Sequence, residues 1–276
     1  MLTIAHITDL HITSAADQAN HTRHEIRLRQ VLDAIHALKP RPSAIVATGD
    51  LVHNGEAAEY TELRRILRGA QIPVLFGVGN HDRRETFRAA FPETAVDENG
   101  FVQYVTEIGG LRLIVADSLD EGENRGAYCE LRAAWLRRTM DEAPETPTLV
   151  AIHHPPVRSG IQWMEDPLPH DGWVLRLANA LAGRRQVVGI IAGHLHRAFH
   201  APFAGHIVSV SAATAIELTL DLRDIDRNRP DGRELLREEP PCFSLLLWDA
   251  GQLTTHVCIA GEFPAAVHFN APFGQH

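Results

Sequence analysis

Five short stretches of this sequence hold residue types that bind metals or move protons. They are Asp9-Leu10-His11, Gly49-Asp50, Gly79-Asn80-His81-Asp82, His153-His154-Pro155-Pro156 and Gly193-His194-Leu195-His196. Carboxylate, imidazole and amide oxygen are the donors that borderline divalent cations accept. Taken singly, none compels that reading. An Asp-x-His after a strand is commonly a turn, Gly-Asp and Gly-Asn are turn dipeptides, and two histidines before Pro-Pro can form a capped loop. Gly-His-x-His is the most telling of the five. What joins them is position, because each begins where an apolar run ends. Ligands of open α/β sheets bind beyond the carboxyl ends of strands, so five polar clusters at five such ends should converge. Two cations about 3.5–4 Å apart can clamp one phosphoryl group and generate a hydroxide near neutral pH. One side chain must bridge them, and a carboxylate with two oxygens suits that task. Two divalent cations, less the carboxylates of Asp9 and Asp50 and one hydroxide, leave about one positive charge. That matches a monoanionic diester without excluding a dianionic monoester.

The elements that position these clusters follow from hydrophobic periodicity. Leu2 to Ile7 reads as a buried strand, and residues 21–38 carry Leu28, Val31, Leu32, Ile35 and Leu38 at helical spacing, stopping before Lys39-Pro40. A strand at 44–48, a helix over about 56–69 and a strand at 73–78 complete a β-α-β-α-β start, the pattern of a parallel sheet covered by helices. Residues 101–107 and 111–116 flank Gly109-Gly110 and read as a hairpin. A helix at about 130–142, a strand at 148–152, a Pro-rich loop to about 172, a helix at about 173–183 and a strand at 187–192 follow. Beyond residue 197 the sequence is mostly β, with strands at 206–211, 242–249 and 253–260. The charged stretch 220–241 reads as an exposed excursion, and the tail from Gly261 is irregular.

The bulk composition bounds the alternatives. The 276 residues are 45% hydrophobic and 22% charged, which suits one sizeable soluble domain. No stretch approaches the length of a membrane span, and the start lacks the basic and apolar regions of a secretory signal. A formal net charge of −9 and the lack of a basic stripe weigh against a partner that is polymeric nucleic acid. Three cysteines without paired spacing fit a reducing, cytoplasmic setting.

The ordered set D-x-H, G-D, G-N-H-D, H, G-H-x-H, spread over residues 1 to about 215, resembles the calcineurin-like metallophosphoesterase superfamily. The G-N-H-D spelling, the His-His-Pro-Pro run and the length are similar to the bacterial class III cyclic-nucleotide phosphodiesterases and related glycerophosphodiesterases. The resemblance implies an α/β fold, a four-layer α/β/β/α sandwich of two mixed sheets. It implies hydrolysis of a small phosphodiester to a phosphomonoester and an alcohol at two divalent or mixed-valence metal ions, among Mn, Fe, Zn and Co. Asp9, His11, Asp50 and His196 would bind the first metal. Asp50, Asn80, His153 and His194 would bind the second, with Asp50 the bridge. His81 would contact the phosphate or protonate the leaving oxygen. Asp82 would either orient His81 or cap a helix. The resemblance further implies a homo-oligomer, with residues 216–241 capping the pocket or meeting a neighbouring subunit.

Some residues depart from patterns within that superfamily. Protein Ser/Thr phosphatases read G-D-x-V-D-R-G, whereas this sequence reads Gly49-Asp50-Leu51-Val52-His53-Asn54-Gly55, without the second acid or the arginine. Purple acid phosphatases carry a tyrosine where His53 stands, so His53 is expected beside the ligands or at the surface. Some glycerophosphodiesterase relatives carry a histidine about twenty residues after G-H-x-H, where this sequence has Thr214, Ala215, Ile216 and Glu217. At His154 the pattern favours its neighbour His153 as ligand, and a place near substrate or behind the ligands is the lesser of its readings. Trp163 and Met164 could wall the pocket, pack in the core or meet a subunit. His21 and His170 could rim the pocket or lie on the surface. The rival readings are a nuclease, a broad phosphomonoesterase or organophosphate diesterase, and a metal-poor protein-binding scaffold. The scaffold would show eroded ligands, and none is missing.

Overall fold

The structure, a computed structural model, describes residues 1–165 and 172–267; His170, His268 and His276 lie outside them. Two mixed sheets stack face to face. The first has five strands: β1 (Leu2–Ile7), β2 (Ala44–Ala47), β3 (Val74–Phe76), β12 (Cys242–Asp249) and β13 (Gln252–Ile259), in the order β13-β12-β1-β2-β3. Strands β1, β2 and β3 run parallel, and β12 joins β1 antiparallel with Ile4 opposite Leu246. The second has six: β4 (Tyr104–Ile108), β5 (Leu111–Ala116), β6 (Thr148–Ile152), β7 (Val187–Ala192), β8 (Phe199–Phe203) and β9 (His206–Val210), in the order β4-β5-β6-β7-β9-β8. Its centre, β5-β6-β7-β9, is parallel and both edges are antiparallel.

Side-chain alternation sets the layering. Along β5 and β6, Leu111, Leu113, Val115, Leu149 and Ala151 enter the core shared with the first sheet. Their neighbours Ile114, Ala116, Val150 and Ile152 enter a second core on the opposite face. The period-2 reversal of a strand thus feeds two cores from one sheet. Helices α1 (Gln18–Ala37) and α2 (Ala57–Leu67) cover the first sheet through Leu28, Val31, Ile35, Tyr60 and Leu63. Helices α4 (Glu130–Asp141) and α5 (Gly172–Leu181) cover the second through Ala133, Leu136, Met140, Leu177 and Leu181. The result is the expected α/β/β/α sandwich. Each fully buried Leu or Ile contributes about 1.5–3 kcal/mol.

The structure adds elements that periodicity did not reveal. Helix α1 starts at Gln18 rather than 21, because the Asp17 carboxylate accepts from the Asn20 N–H at 3.4 Å and caps the first turn. A seven-residue helix, α3 (Arg84–Ala90), follows the Gly79–Asp82 stretch, and β8 pairs with β9 across the turn Ala204-Gly205. Within the expected excursion, β10 (Glu217–Leu218) and β11 (Leu236–Arg237) form a two-stranded ribbon, while most residues from 220 to 238 are exposed. No helix among the described residues is long and apolar enough to cross a membrane.

Candidate metal centre

All five clusters leave the carboxyl ends of parallel strands, β1, β2 and β3 from one sheet and β6 and β7 from the other, and meet above the seam. The chain turns sharply there. Asp9, His11, Asp50, His194 and His196 all sit at positive φ, between 44° and 70°. That region is costly for residues other than glycine and persists only where the surroundings hold it. At Asp9 the holding contacts are Asp9 N–H to Gly49 C=O at 3.1 Å and the His194 N–H to both Asp9 oxygens at 3.0 and 3.2 Å. The motif glycines permit close approach. A Cβ on Gly79 would lie 2.3 Å from Asp50 Oδ1, and one on Gly193 would lie 1.9 Å from Thr8 Oγ1.

Ligand atoms of Asp9, His11, Asp50 and His196 all lie within 4.8 Å of one another. His11 Nε2 is 3.0 Å from His196 Nε2 and 3.7 Å from Asp50 Oδ2, and His196 Nε2 is 3.4 Å from Asp9 Oδ1. Beside this set lies another. Asn80 Oδ1 is 3.1 Å from His153 Nε2 and 2.9 Å from His194 Nδ1, and His153 Nε2 is 3.4 Å from Asp50 Oδ2. Asp50 Oδ2 therefore faces both sets. Two imidazoles are oriented from behind. His196 Nδ1–H donates to the Ile216 carbonyl at 2.6 Å and His153 Nδ1–H to the Thr48 carbonyl at 3.2 Å. Each Nε2 then presents a lone pair to the centre, the arrangement that metal-ligating histidines adopt. The residues present therefore fit a pair of divalent cations.

The electrostatics of the donors is divided. Asp9 is fully buried, and burial pushes its carboxyl up against the pull of His196 and His153. Burial also pushes Asp50 up, but His153 and His11 beside it hold it well below the usual carboxylate range. Burial pulls the His153 ring down, yet the Asp50 carboxylate wins and raises it to about 9. Burial lowers His11 well below its ordinary value and His194 to about 3. Neutral imidazoles and ionised carboxylates are the forms that bind metal, so the shifts at Asp50, His11 and His194 favour binding, while those at Asp9 and His153 are ones that bound cations would have to reverse.

The other expected residues are placed as follows. His81 Nδ1–H donates to the His53 carbonyl at 2.6 Å, and the ring stacks on His53 with centroids 5.0 Å apart. His53 stands beside the first set, its Nδ1 3.4 Å from His11 Nδ1. Asp82 requires a correction, because it neither orients His81 nor caps α3. Its Oδ2 accepts the Leu51 and Gly79 N–H groups at 3.2 and 2.8 Å, and its Oδ1 accepts the Tyr60 hydroxyl at 2.9 Å. A carboxylate engaged on both oxygens fastens the β2 and β3 loops together. Burial and the neighbouring Asp50 raise it to about 7.

Sequence reasoning passed over two residues behind the centre. His24 Nδ1–H donates to the His11 carbonyl at 2.6 Å. Ser118, two residues past β5, lies 2.8 Å from His154 Nδ1. It follows a strand end like the five clusters, and that was its only available signal. The centre opens into a cavity of about 790 Å³. Trp163 and Met164 line it and also pack on the second core, while His21 is not among its lining residues. Leu218, Arg227 and Leu236 bring the 216–241 stretch to the same cavity.

Two stacked mixed sheets whose strand ends gather two donor sets around one shared carboxylate define a dimetal phosphoesterase scaffold. The chain belongs to the calcineurin-like phosphoesterase family, whose model matches residues 2–198. A probable glycerophosphodiester phosphodiesterase of Arcobacter nitrofigilis is 31% identical over 275 residues, covering 99% of this chain and 98% of that protein. A probable cyclic nucleotide phosphodiesterase of Rhodococcus erythropolis is 34% identical over 243 residues, covering 84% and 77%. Among solved structures, a dimetal phosphatase from Danio rerio shares the fold with a TM-score of 0.63 at 12% identity, covering 94% of this chain and 99% of that one. Family and clustered donors together support two metal ions as the cofactor.

Proposed function

We propose that the protein is a two-metal phosphodiesterase that hydrolyses a small phosphodiester, of cyclic-nucleotide or glycerophosphodiester type, to a phosphomonoester and an alcohol. The observation that carries this reading is the position of Asp50 Oδ2, 3.7 Å from a nitrogen of one donor set and 3.4 Å from a nitrogen of the other. Asp9, His11, Asp50 and His196 would hold one cation, and Asp50, Asn80, His153 and His194 the other. When bound, the pair draws charge from the phosphoryl oxygens and acidifies a water. Mixed nitrogen and oxygen donors suit Mn, Fe, Zn or Co.

The chain's own residues supply the rest. Because His81 Nδ1–H is committed to the His53 carbonyl, its Nε2 is the nitrogen that gains and gives a proton. A protonated Nε2 there delivers that proton to the departing alkoxide. The His81 backbone N–H donates to Asp50 Oδ1 at 2.9 Å, so one turn registers the acid against the bridging carboxylate. Trp163, Met164, Trp173 and Phe203 give the cavity apolar walls that exclude water around the leaving group. The 216–241 stretch serves as a cap over the cavity, supported by Arg227, whose guanidinium donates to the Trp163 carbonyl at 3.2 Å. The sparse, unpaired cysteines support a cytoplasmic location, and a homo-oligomer accompanies the family resemblance.

The test is metal analysis of purified protein followed by hydrolysis of cAMP, glycerophosphocholine and bis(p-nitrophenyl) phosphate with added Mn²⁺. About two metals per chain and diester cleavage are expected. A chain that stays metal-free under saturating Mn²⁺, or cleaves only monoesters, would overturn the reading.

A further inference from the structure

His154 is 2% exposed, and its Nε2 makes no well-formed hydrogen bond among the described residues, although the Asn124 backbone lies beside the ring. A buried polar nitrogen without a well-formed partner costs about 1–3 kcal/mol, so its retention calls for an occupant. Its other nitrogen is engaged. Ser118 Oγ accepts the His154 backbone N–H at 3.2 Å and lies 2.8 Å from His154 Nδ1. Ser118 itself is fully buried.

These contacts fix where the ring carries its proton. If Nδ1–H donated to Ser118, the serine hydrogen and the Nε2 lone pair would both be left unpaired. If the serine hydroxyl donates to Nδ1, only one group is left over, the Nε2–H. The second arrangement strands one buried polar group instead of two and prevails. The ring therefore offers a fixed donor. It stands with centroids 4.6 Å from His194 and 4.7 Å from His153, at the end of the centre opposite His81, which stands 4.6 Å from His11. His154, His194, Asn80 and His81 line one cavity. A phosphoryl group resting on both donor sets then has a histidine at each end.

We propose that His154 is a substrate-holding residue: Ser118 locks its ring as the Nε2–H tautomer, and that N–H donates to a non-bridging oxygen of the phosphoryl group. The assignment rests on the phosphodiesterase reading above. His154 and His81 divide the work by tautomer. His81 has its Nδ1 held by the His53 carbonyl, which leaves its Nε2 outside that bond. A neutral N–H of an imidazole donates a hydrogen bond without giving its proton away, so His154 stabilises charge on phosphorus-bound oxygen whatever alcohol departs.

The test uses the full chain loaded with Mn²⁺, with inorganic phosphate titrated calorimetrically and bis(p-nitrophenyl) phosphate and cAMP as substrates. His154→Phe should keep its metal content, weaken phosphate binding about tenfold and lower kcat/KM about 10–100-fold, by the same factor for both substrates. His154→Gln, whose amide can donate from nearly the same place, should recover most of the loss. Ser118→Ala should weaken phosphate binding about threefold to tenfold, and adding it to His154→Phe should cost nothing more, since the serine acts through the ring. Should His154→Phe not fold, His154→Gln and Ser118→Ala carry the test. Loss of one metal from both His154 variants would make His154 a ligand and overturn the proposal. So would unchanged phosphate affinity and turnover. A wild-type protein that binds no Mn²⁺ or cleaves no diester brings down the phosphodiesterase reading as well. An active wild type with indifferent variants brings down this inference alone.

Discussion

The two sheets make unequal contributions to the centre. Strands β1, β2 and β3 of the first supply both carboxylates, Asp9 and Asp50, together with His11, Asn80 and His81. Strands β6 and β7 of the second supply only imidazoles, His153, His154, His194 and His196. Neither half is a metal site by itself. The first half alone would bury two like charges together, and Asp9, whose carboxyl is raised mainly by burial, is pushed further up by Asp50. The second half alone would bury histidines without a counter-charge. Docking the sheets sets His153 against Asp50 at 3.4 Å and the His194 N–H against Asp9 at 3.0 Å. Removing one partner of a buried charge pair leaves the other uncompensated, so each half depends on the other. Assembly of the site is therefore inseparable from the packing of the sandwich.

Asp50 is where the two halves are joined, and its removal breaks the comparison most severely. Asp50→Ala should lower diester turnover by about a thousandfold or more and reduce metal content in both sets. Full metal content with lost activity would show that Asp50 is not the bridge. A paired experiment separates the sets. His11→Ala should deplete the first set and His194→Ala the second, each leaving about one metal per chain and costing about 100-fold in turnover. Identical loss of both metals from both variants would erase the distinction between the sets. A smaller effect isolates proton delivery. His81→Ala should retain metal and lower kcat about 100-fold on cAMP, with less loss on bis(p-nitrophenyl) phosphate, whose leaving group needs no proton. Metal loss equal to that of His11→Ala would overturn the role given to His81.

What the sequence revealed, and what it hid, follows the same division between pattern and packing. The five clusters were legible because metal donors are rare types placed at strand ends, and the structure brings Asp9, His11, Asp50, Asn80, His153, His194 and His196 together. The sandwich was legible in outline from the resemblance and from the βαβαβ start. Helix α3 escaped because Arg84–Ala90 buries only Phe87, too little for a periodic signal. Strand β8 escaped because it is short and contains Pro202, which argues against a strand, although Phe199, Ala201 and Phe203 share one half-buried face. The misplaced role of Asp82 shows the limit of adjacency. Neighbouring residues in a turn point apart, and the side chain after His81 turns back to the Leu51 and Gly79 amides instead of toward the ring. Ser118 and His24 were hidden because their partners, His154 and the His11 carbonyl, are set by tertiary contact.

The smallest expected effect lies in the seam between the halves. The chain leaving β9 crosses back over β1, where the Thr214 and Ala215 N–H groups donate to the Thr8 and Asp9 carbonyls at 3.0 and 3.1 Å. Two residues on, Glu217 is 2% exposed, and its Oε1 has no partner among the described residues. Burial raises its carboxyl from 4.5 to about 8, against the pull of Arg197. A group raised in the folded state holds its proton more firmly folded than unfolded. Stability is then fully present below about pH 4.5 and falls as pH rises toward 8. Glu217→Gln keeps the shape and removes the titration. The variant should melt with the wild type at pH 5 and about 2–4 °C above it at pH 9, for a difference on the order of 1 kcal/mol. Scanning calorimetry of the metal-loaded proteins at both pH values reads this directly. A variant that melts lower at pH 9 would mean that Arg197 and Arg27 hold an ionised Glu217 in the folded protein. The seam would then be closed by an ion pair, like the centre beside it, rather than by a neutral acid.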